Sequence, residues 1–233
     1  MKFKEPLIPG KFLQRYKRFF VDVELHDGSI VTAHCPNTGS MKSCYAPGWS
    51  VLLSRQNRPE RKLKYTLEMI SNGQCWIGVN TQIPNSLVIE SLRDGTIKEL
   101  ITYNEFKPEV NYGYRSRLDI LAENASGKCF IEVKNVTLVD EKGFYSFPDA
   151  VTKRGVKHLR HLIDVLHNGH HAALVFTIQR SDGTVFRPAA EIDPEFTKYL
   201  KLAHTEGMKI LPYIANVTPK GIKLAKKVDS ILF

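Results

Sequence analysis

Residues 171–178, HAALVFTI, form an almost unbroken apolar run. A strand with this pattern lies inside a sheet covered on both faces rather than at a solvated surface. The segments on either side supply cover. A long helix is predicted from roughly Thr152 to Asn168 and closed by Gly169, with Val156, Leu159, Leu162, Ile163 and Leu166 at helical spacing. Lys153, Arg154, Lys157, Arg160 and His161 occupy its other side. DPEFTKYLKLAHTEG (193–207) reads as a second capped amphipathic helix, and MKILPYIA after it as a strand. Upstream, Pro84 and Asn85 open a helix, NSLVIESLRDG, followed by three strand-like runs, FKPEVNYG, SRLDILAE and CFIEVKNVTLV. This succession describes a mixed α/β (α+β) domain over residues 81–233.

Residues 1–80 read differently, as all-β. FFVDVEL (19–25) and SIVTAHC (29–35) flank His26-Asp27-Gly28, a hairpin signal. SVLLSR (50–55), YTLEMI (65–70) and CWIGVN (75–80) supply three more short strands. Five strands of this kind suit a small barrel of the OB type, a common nucleic-acid scaffold, although an SH3-like barrel has much the same pattern.

Charge separates the two halves as well. Of 33 Lys and Arg against 24 Asp and Glu, residues 1–80 hold 12 basic and 6 acidic side chains, a net of +6 within a total of +9. Lys11–Arg18 (KFLQRYKR) and Arg55–Lys64 (RQNRPERKLK) are the densest stretches, and both interleave apolar or aromatic residues. Such a surface attracts polyanions through counterion release, and Arg15, Lys17 and Arg18 are the candidate contacts. A solvated basic face is the alternative. No apolar run is long enough to span a bilayer, and the N-terminus lacks an apolar signal core. Four scattered cysteines without paired spacing read as reduced thiols, so a cytoplasmic protein without membrane partners is expected. His158 and His161 lack a third soft ligand nearby in sequence, which argues against zinc.

The chemistry is concentrated in SRLDILAE and CFIEVKNV. Side chains alternate along a strand, so Glu132 and Lys134 share a face while Val133 points away. If the two runs pair as a hairpin, Asp119 can sit beside Glu132. Two converging carboxylates make a hard-oxygen site for Mg²⁺ or Mn²⁺, and a neighbouring lysine can orient water and support charge on a phosphate. The triplet (D/E)-x-K occurs four times in the chain, but only Glu132-Val133-Lys134 lies in an apolar strand preceded by another that bears an aspartate. A surface hairpin with a cross-strand ion pair is the plain alternative.

This arrangement resembles the PD-(D/E)xK nuclease superfamily, with Leu118 where the proline stands. Over nearly the full length the chain is similar to the sugar fermentation stimulation protein family, through LQRYKRF (13–19), HCPNTGSM (34–41), RSRLDI (115–120), IEVKNVTLV (131–139), FPDAVTKRGVKHLRHL (147–162) and DPEF (193–196). The resemblance implies an N-terminal OB-like β-barrel and a restriction-endonuclease-like mixed-sheet domain. It also implies DNA binding with little sequence preference and a regulatory link to sugar, notably maltose, metabolism. Asp119, Glu132 and Lys134 match the nuclease triad, with Asp119 and Glu132 on the metal, and Glu90 matches an additional acidic residue that is otherwise an ordinary helix glutamate. The basic helix face, Arg154 and Lys157 above all, is a candidate for the phosphate backbone. Asn37-Thr38-Gly39-Ser40 reads as a turn more than an anion-binding nest, and Gln179 as the cap of a strand end. A metal-dependent nuclease, a catalytically silent DNA-binding regulator and an RNA-processing nuclease all remain open, and nothing in the sequence separates DNA from RNA.

Overall fold

The computed structural model describes residues 1–56, 60–112 and 117–233. Asn57, Arg58 and Pro59 of the second basic stretch, and Gly113 to Ser116 ahead of the aspartate-bearing run, lie outside the described residues.

Five strands build the first half: β1 (Ile8–Tyr16), β2 (Phe20–Leu25), β3 (Ile30–His34), β4 (Ser50–Arg55) and β5 (Tyr65–Ser71). They run in the order β3-β2-β1-β4-β5, and a parallel pairing of β3 with β5 closes the barrel. Closure removes free sheet edges. Phe12, Val21, Val23, Val51, Leu53, Leu67 and Ile70 fill the interior. Two details differ from the sequence expectation. The stretch from Lys11 belongs to β1, whose exposed Lys11, Gln14 and Tyr16 and single fully buried Phe12 hide its strand character. The expected strand at 75–80 is only β6 (Trp76–Gly78), an extension paired to β5.

The second half begins with α1 (Pro84–Arg93) and continues through β7 (Glu105–Asn111), β8 (Arg117–Asn124) and β9 (Gly127–Val136). Two short strands, β10 (Leu138–Val139) and β11 (Tyr145–Phe147), precede α2 (Lys153–His167) and β12 (His171–Ile178). β13 (Phe186–Pro188), α3 (Pro194–Thr205), β14 (Lys209–Thr218) and β15 (Gly221–Lys227) complete the chain. The main sheet runs β15-β14-β12-β9-β8-β7, and β10, β11 and β13 form a small second sheet. β12 sits between two parallel neighbours, β9 and β14, in the buried place its apolar run calls for. α1 covers one face through Leu87, Val88 and Leu92 against Ile131, Val133, Ala173 and Val175. α2 and α3 cover the other through Val156, Leu159, Leu162, Phe196 and Leu200 against Phe130, Leu174 and Phe176. The expected run 129–139 divides into β9 and β10, and β11, β13 and β15, being short or strongly polar, lie outside the sequence expectation.

Arg180, 3% exposed, joins the halves. Its guanidinium forms a bidentate pair with Asp182, at 2.7 and 2.6 Å, and donates to the Ser43 and Thr137 carbonyls at 3.1 and 2.5 Å. Asp182 in turn accepts from Asn72 of the barrel at 2.6 Å. Among the described residues, no helix is long and apolar enough to cross a membrane.

Candidate active site

The β8–β9 ladder runs from Asn124 opposite Gly127 to Ile120 opposite Ile131 and then parts. At that point side-chain alternation breaks: Leu118 packs into the core under α2 and α3, whereas Ile120 and Ala122 pack under α1. Asp119 occupies the break. Its carboxylate accepts from the Val133 backbone N–H at 2.8 Å, taking the bond a continued ladder would have supplied, and from the Asn85 amide at 3.1 Å. Asn85 stands in the first turn of α1, so a helix start and a strand fork hold one carboxylate between them.

Glu132, on the α2 side of β9, is 1% exposed. Its Oε1 accepts from Lys134 Nζ at 2.5 Å and from His158 Nδ1. Arg154 Nε donates to the other ring nitrogen of His158 at 3.3 Å, which assigns the ring proton to Nδ1. Glu132 Oε2 is buried with no hydrogen-bond partner among the described residues. Burial pushes the Glu132 carboxyl up, but Lys134 and His158 together hold it below the usual glutamate range. Asp119 is raised, by burial first and by the charge of Glu132 second. Asp119 thus carries an uncompensated burial and repulsion, and Glu132 keeps one oxygen without a donor among the described residues. A buried carboxylate oxygen without a partner is costly, and an oxygen-seeking cation answers both deficits. Two carboxylates suit a hard divalent ion, which takes oxygen ligands.

These groups line a cleft of about 430 Å³ that both halves share. Arg18, Asn37, Thr38 and Gly39 come from the barrel, Asn85, Asp119, Glu132, Lys134 and Asn135 from the sheet side, and residues 147–152, Arg154 and His158 from the approach to α2. Thr152 caps α2 by accepting from Gly155 N–H at 2.9 Å, which sets Arg154 and His158 on the turn that faces the carboxylates.

Other expected residues fall elsewhere. Glu90 does not join the pair: the outward face of α1 turns it to the Met1 ammonium, 2.5 Å away, in a separate depression. Arg15 is a barrel staple rather than a free contact, because its guanidinium donates to the carbonyls of Arg18, Asn37, Gly39 and Ser40 at 2.8–3.3 Å. Lys17 is exposed in the β1–β2 turn, and Lys157 is exposed outside the cleft lining. Residues 37–40 form a turn in which Gly39 N–H bonds Asn37 Oδ1 at 2.8 Å. The anion beside it is the protein's own: Asp149 accepts from Met41 N–H at 3.0 Å and from the Ser40 hydroxyl at 3.3 Å. A Cβ on Gly39 would stand 2.5 Å from that carboxylate and would have to push it from its place. Gln179 is fully buried and donates to Asn135 at 2.6 Å, behind the cleft. Asn85, Asp149 and His158 carried no separable signal in sequence, since each works only through a partner far along the chain.

Comparisons with known proteins agree with this architecture. The family described as "SfsA N-terminal OB domain" matches residues 13–79, and "Sugar fermentation stimulation protein RE domain" matches residues 82–221. The sugar fermentation stimulation protein homolog of Geotalea uraniireducens is 50% identical over 98% of this chain and 99% of its own. That of Geobacter metallireducens is 48% identical over the whole of both chains. A solved structure, Pyrococcus furiosus SfsA in complex with Ca²⁺, superposes with a TM-score of 0.89 at 26% identity, covering 99% of this chain and 98% of that one. With both domain matches and full-length relatives of this similarity, the chain belongs to the sugar fermentation stimulation protein family.

Proposed function

We propose that this protein is a divalent-metal-dependent nuclease that hydrolyses phosphodiesters in DNA with little regard to sequence, working in the cytoplasm. Residues 1–80 hold the nucleic acid and residues 81–233 cut it. The observation that carries the reading is Oε2 of buried Glu132, without a hydrogen-bond partner among the described residues, beside Asp119 and Lys134 in a cleft with arginines on two of its walls. Asp119 and Glu132 would hold Mg²⁺ or Mn²⁺, which when bound polarises a phosphoryl oxygen and acidifies water. The protein's own groups do the rest. Asn85 and the Val133 amide fix Asp119, while His158 and Lys134 fix Glu132. The Lys134 ammonium stands where it can orient the attacking water and neutralise charge growing on the phosphate. Arg18 and Arg154 steady the strand to either side. The Ca²⁺ complex of the Pyrococcus furiosus relative supports a hard, oxygen-seeking ion.

Calorimetric titration with Mn²⁺ and a gel assay on plasmid and linear DNA test this reading. Asp119→Asn is expected to lose metal binding and cleavage together, whereas Lys134→Ala keeps metal binding and loses cleavage by at least about 10²-fold. A wild-type protein that binds no metal and cuts nothing would leave the second reading, a silent DNA-binding regulator. The family name supports that reading by its reference to sugar fermentation.

A further inference from the structure

One wall of the cleft carries an arginine on a backbone turn of unusual conformation. The β1–β2 turn places Lys17 and Arg18 at φ 48° and 63°, two consecutive long side chains in the left-handed region that Gly or Asn would occupy without steric cost. Strain of this kind persists where surrounding bonds impose it, and here they do: Arg15 binds the Arg18 carbonyl at 3.1 Å and Cys35 N–H binds the Phe19 carbonyl at 2.7 Å. Arg18 lines the cleft from this turn, and the aromatic residues that flank it in the chain, Phe19 and Tyr16, lie outside the lining, where an extended strand leaving the cleft past Arg18 would run. Phe19 is 45% exposed and Tyr16 38%, with Tyr16 stacked on Phe20 at 5.4 Å between centroids. On the opposite lip, Val151 lines the cleft while 71% exposed.

Size points the same way. Glu132 is essentially buried, so a phosphate must descend into about 430 Å³ to reach it, room on the order of one nucleotide. In a paired helix the neighbouring base pairs travel with every phosphate, and bases locked in pairs cannot meet the rings. An unpaired strand has free faces to stack and a backbone that bends into the floor.

The geometry points to a single-stranded polynucleotide as the substrate of this site: phosphates on Arg18 and Arg154, bases against Phe19, Tyr16 and Val151. This rests on the nuclease reading only for the word substrate; the binding surface stands without it. Fluorescence anisotropy in EDTA, where no cleavage occurs, compares a short mixed-sequence oligodeoxynucleotide with its blunt duplex and with the same sequence as RNA. The single strand is expected to bind at least roughly 10-fold more tightly than the duplex, and Phe19→Ala to remove most of that preference while Phe19→Trp retains it. Phe19 is partly solvent-facing, and an unchanged melting temperature in each variant confirms the fold. RNA bound as well as DNA supports a strand-shape site for either backbone. A duplex bound as tightly as the single strand, or Phe19→Ala at wild-type preference, overturns the proposal even if the protein cuts DNA. A preference that persists in a protein that cuts nothing overturns the nuclease reading alone.

Discussion

At the scale of single residues, two arginines three positions apart do opposite jobs. Arg15 gathers four backbone carbonyls, and Arg18 offers its side chain to the cleft. Arg15→Ala therefore strands several half-buried carbonyls. It is expected to destabilise the fold by roughly 1–3 kcal/mol, visible as a lower melting temperature, with DNA affinity falling through a loosened 37–40 loop. Arg18→Ala should leave the melting temperature alone, weaken binding across all sequences and reduce the salt slope by about one phosphate contact. If Arg18→Ala melts early and Arg15→Ala does not, the assignment of roles is reversed. Both residues read alike in sequence as members of one basic cluster, because charge is a property of the side chain whereas its partner is set by the loop that folds over it.

At the scale of elements, α2 carries the site's second support. Its apolar stripe was plain from the spacing, and Val156, Leu159 and Leu162 are buried as that stripe requires. His158 sits at the stripe's edge, 7% exposed, and from there reaches Glu132. His158→Ala leaves Oε1 of a buried carboxylate with Lys134 as its one donor among the described residues. Weaker holding of a ligand typically costs about 10–100-fold in metal affinity, so Mn²⁺ titration should show a loss in that range. Wild-type affinity in this variant would mean that the histidine only fills space. The fork of β8 from β9 is likewise an element's doing. Period-two patterning identifies both strands, but the break in alternation at Asp119 follows from packing on opposite faces of a sheet and has no local signature.

At the scale of the whole molecule, the cleft exists because the barrel and the sheet domain are locked together. Asp182 is half-buried, which pushes its carboxyl up, yet the Arg180 guanidinium and Asn72 hold it below the ordinary aspartate value of 3.8. A depressed folded-state value stabilises the protein above the unfolded value and is lost as pH falls through the folded one. Asp182→Asn should thus lower the urea midpoint at neutral pH, with the gap to wild type closing only below about pH 3.8. A gap that stays constant well below that pH would show that the ion pair is not what the substitution removes. Binding of nucleic acid should weaken linearly in log K against log salt, with a slope of about −0.7 for each phosphate contacted on a single strand. A flat plot would sink the electrostatic account. What the sequence by itself determined were the quantities that local pattern encodes: an all-β basic half, a layered α/β half, the buried β12, and the acidic and lysine residues of one hairpin. What only the tertiary structure decided was which charges meet. Glu90 went to Met1, Arg15 to a loop and Asp149 to Met41, while Asn85 and His158 came to the carboxylates. Those pairings span from about 20 to more than 100 residues of chain, and a contact at such separation is selected by how the layers pack, not by the residues beside it.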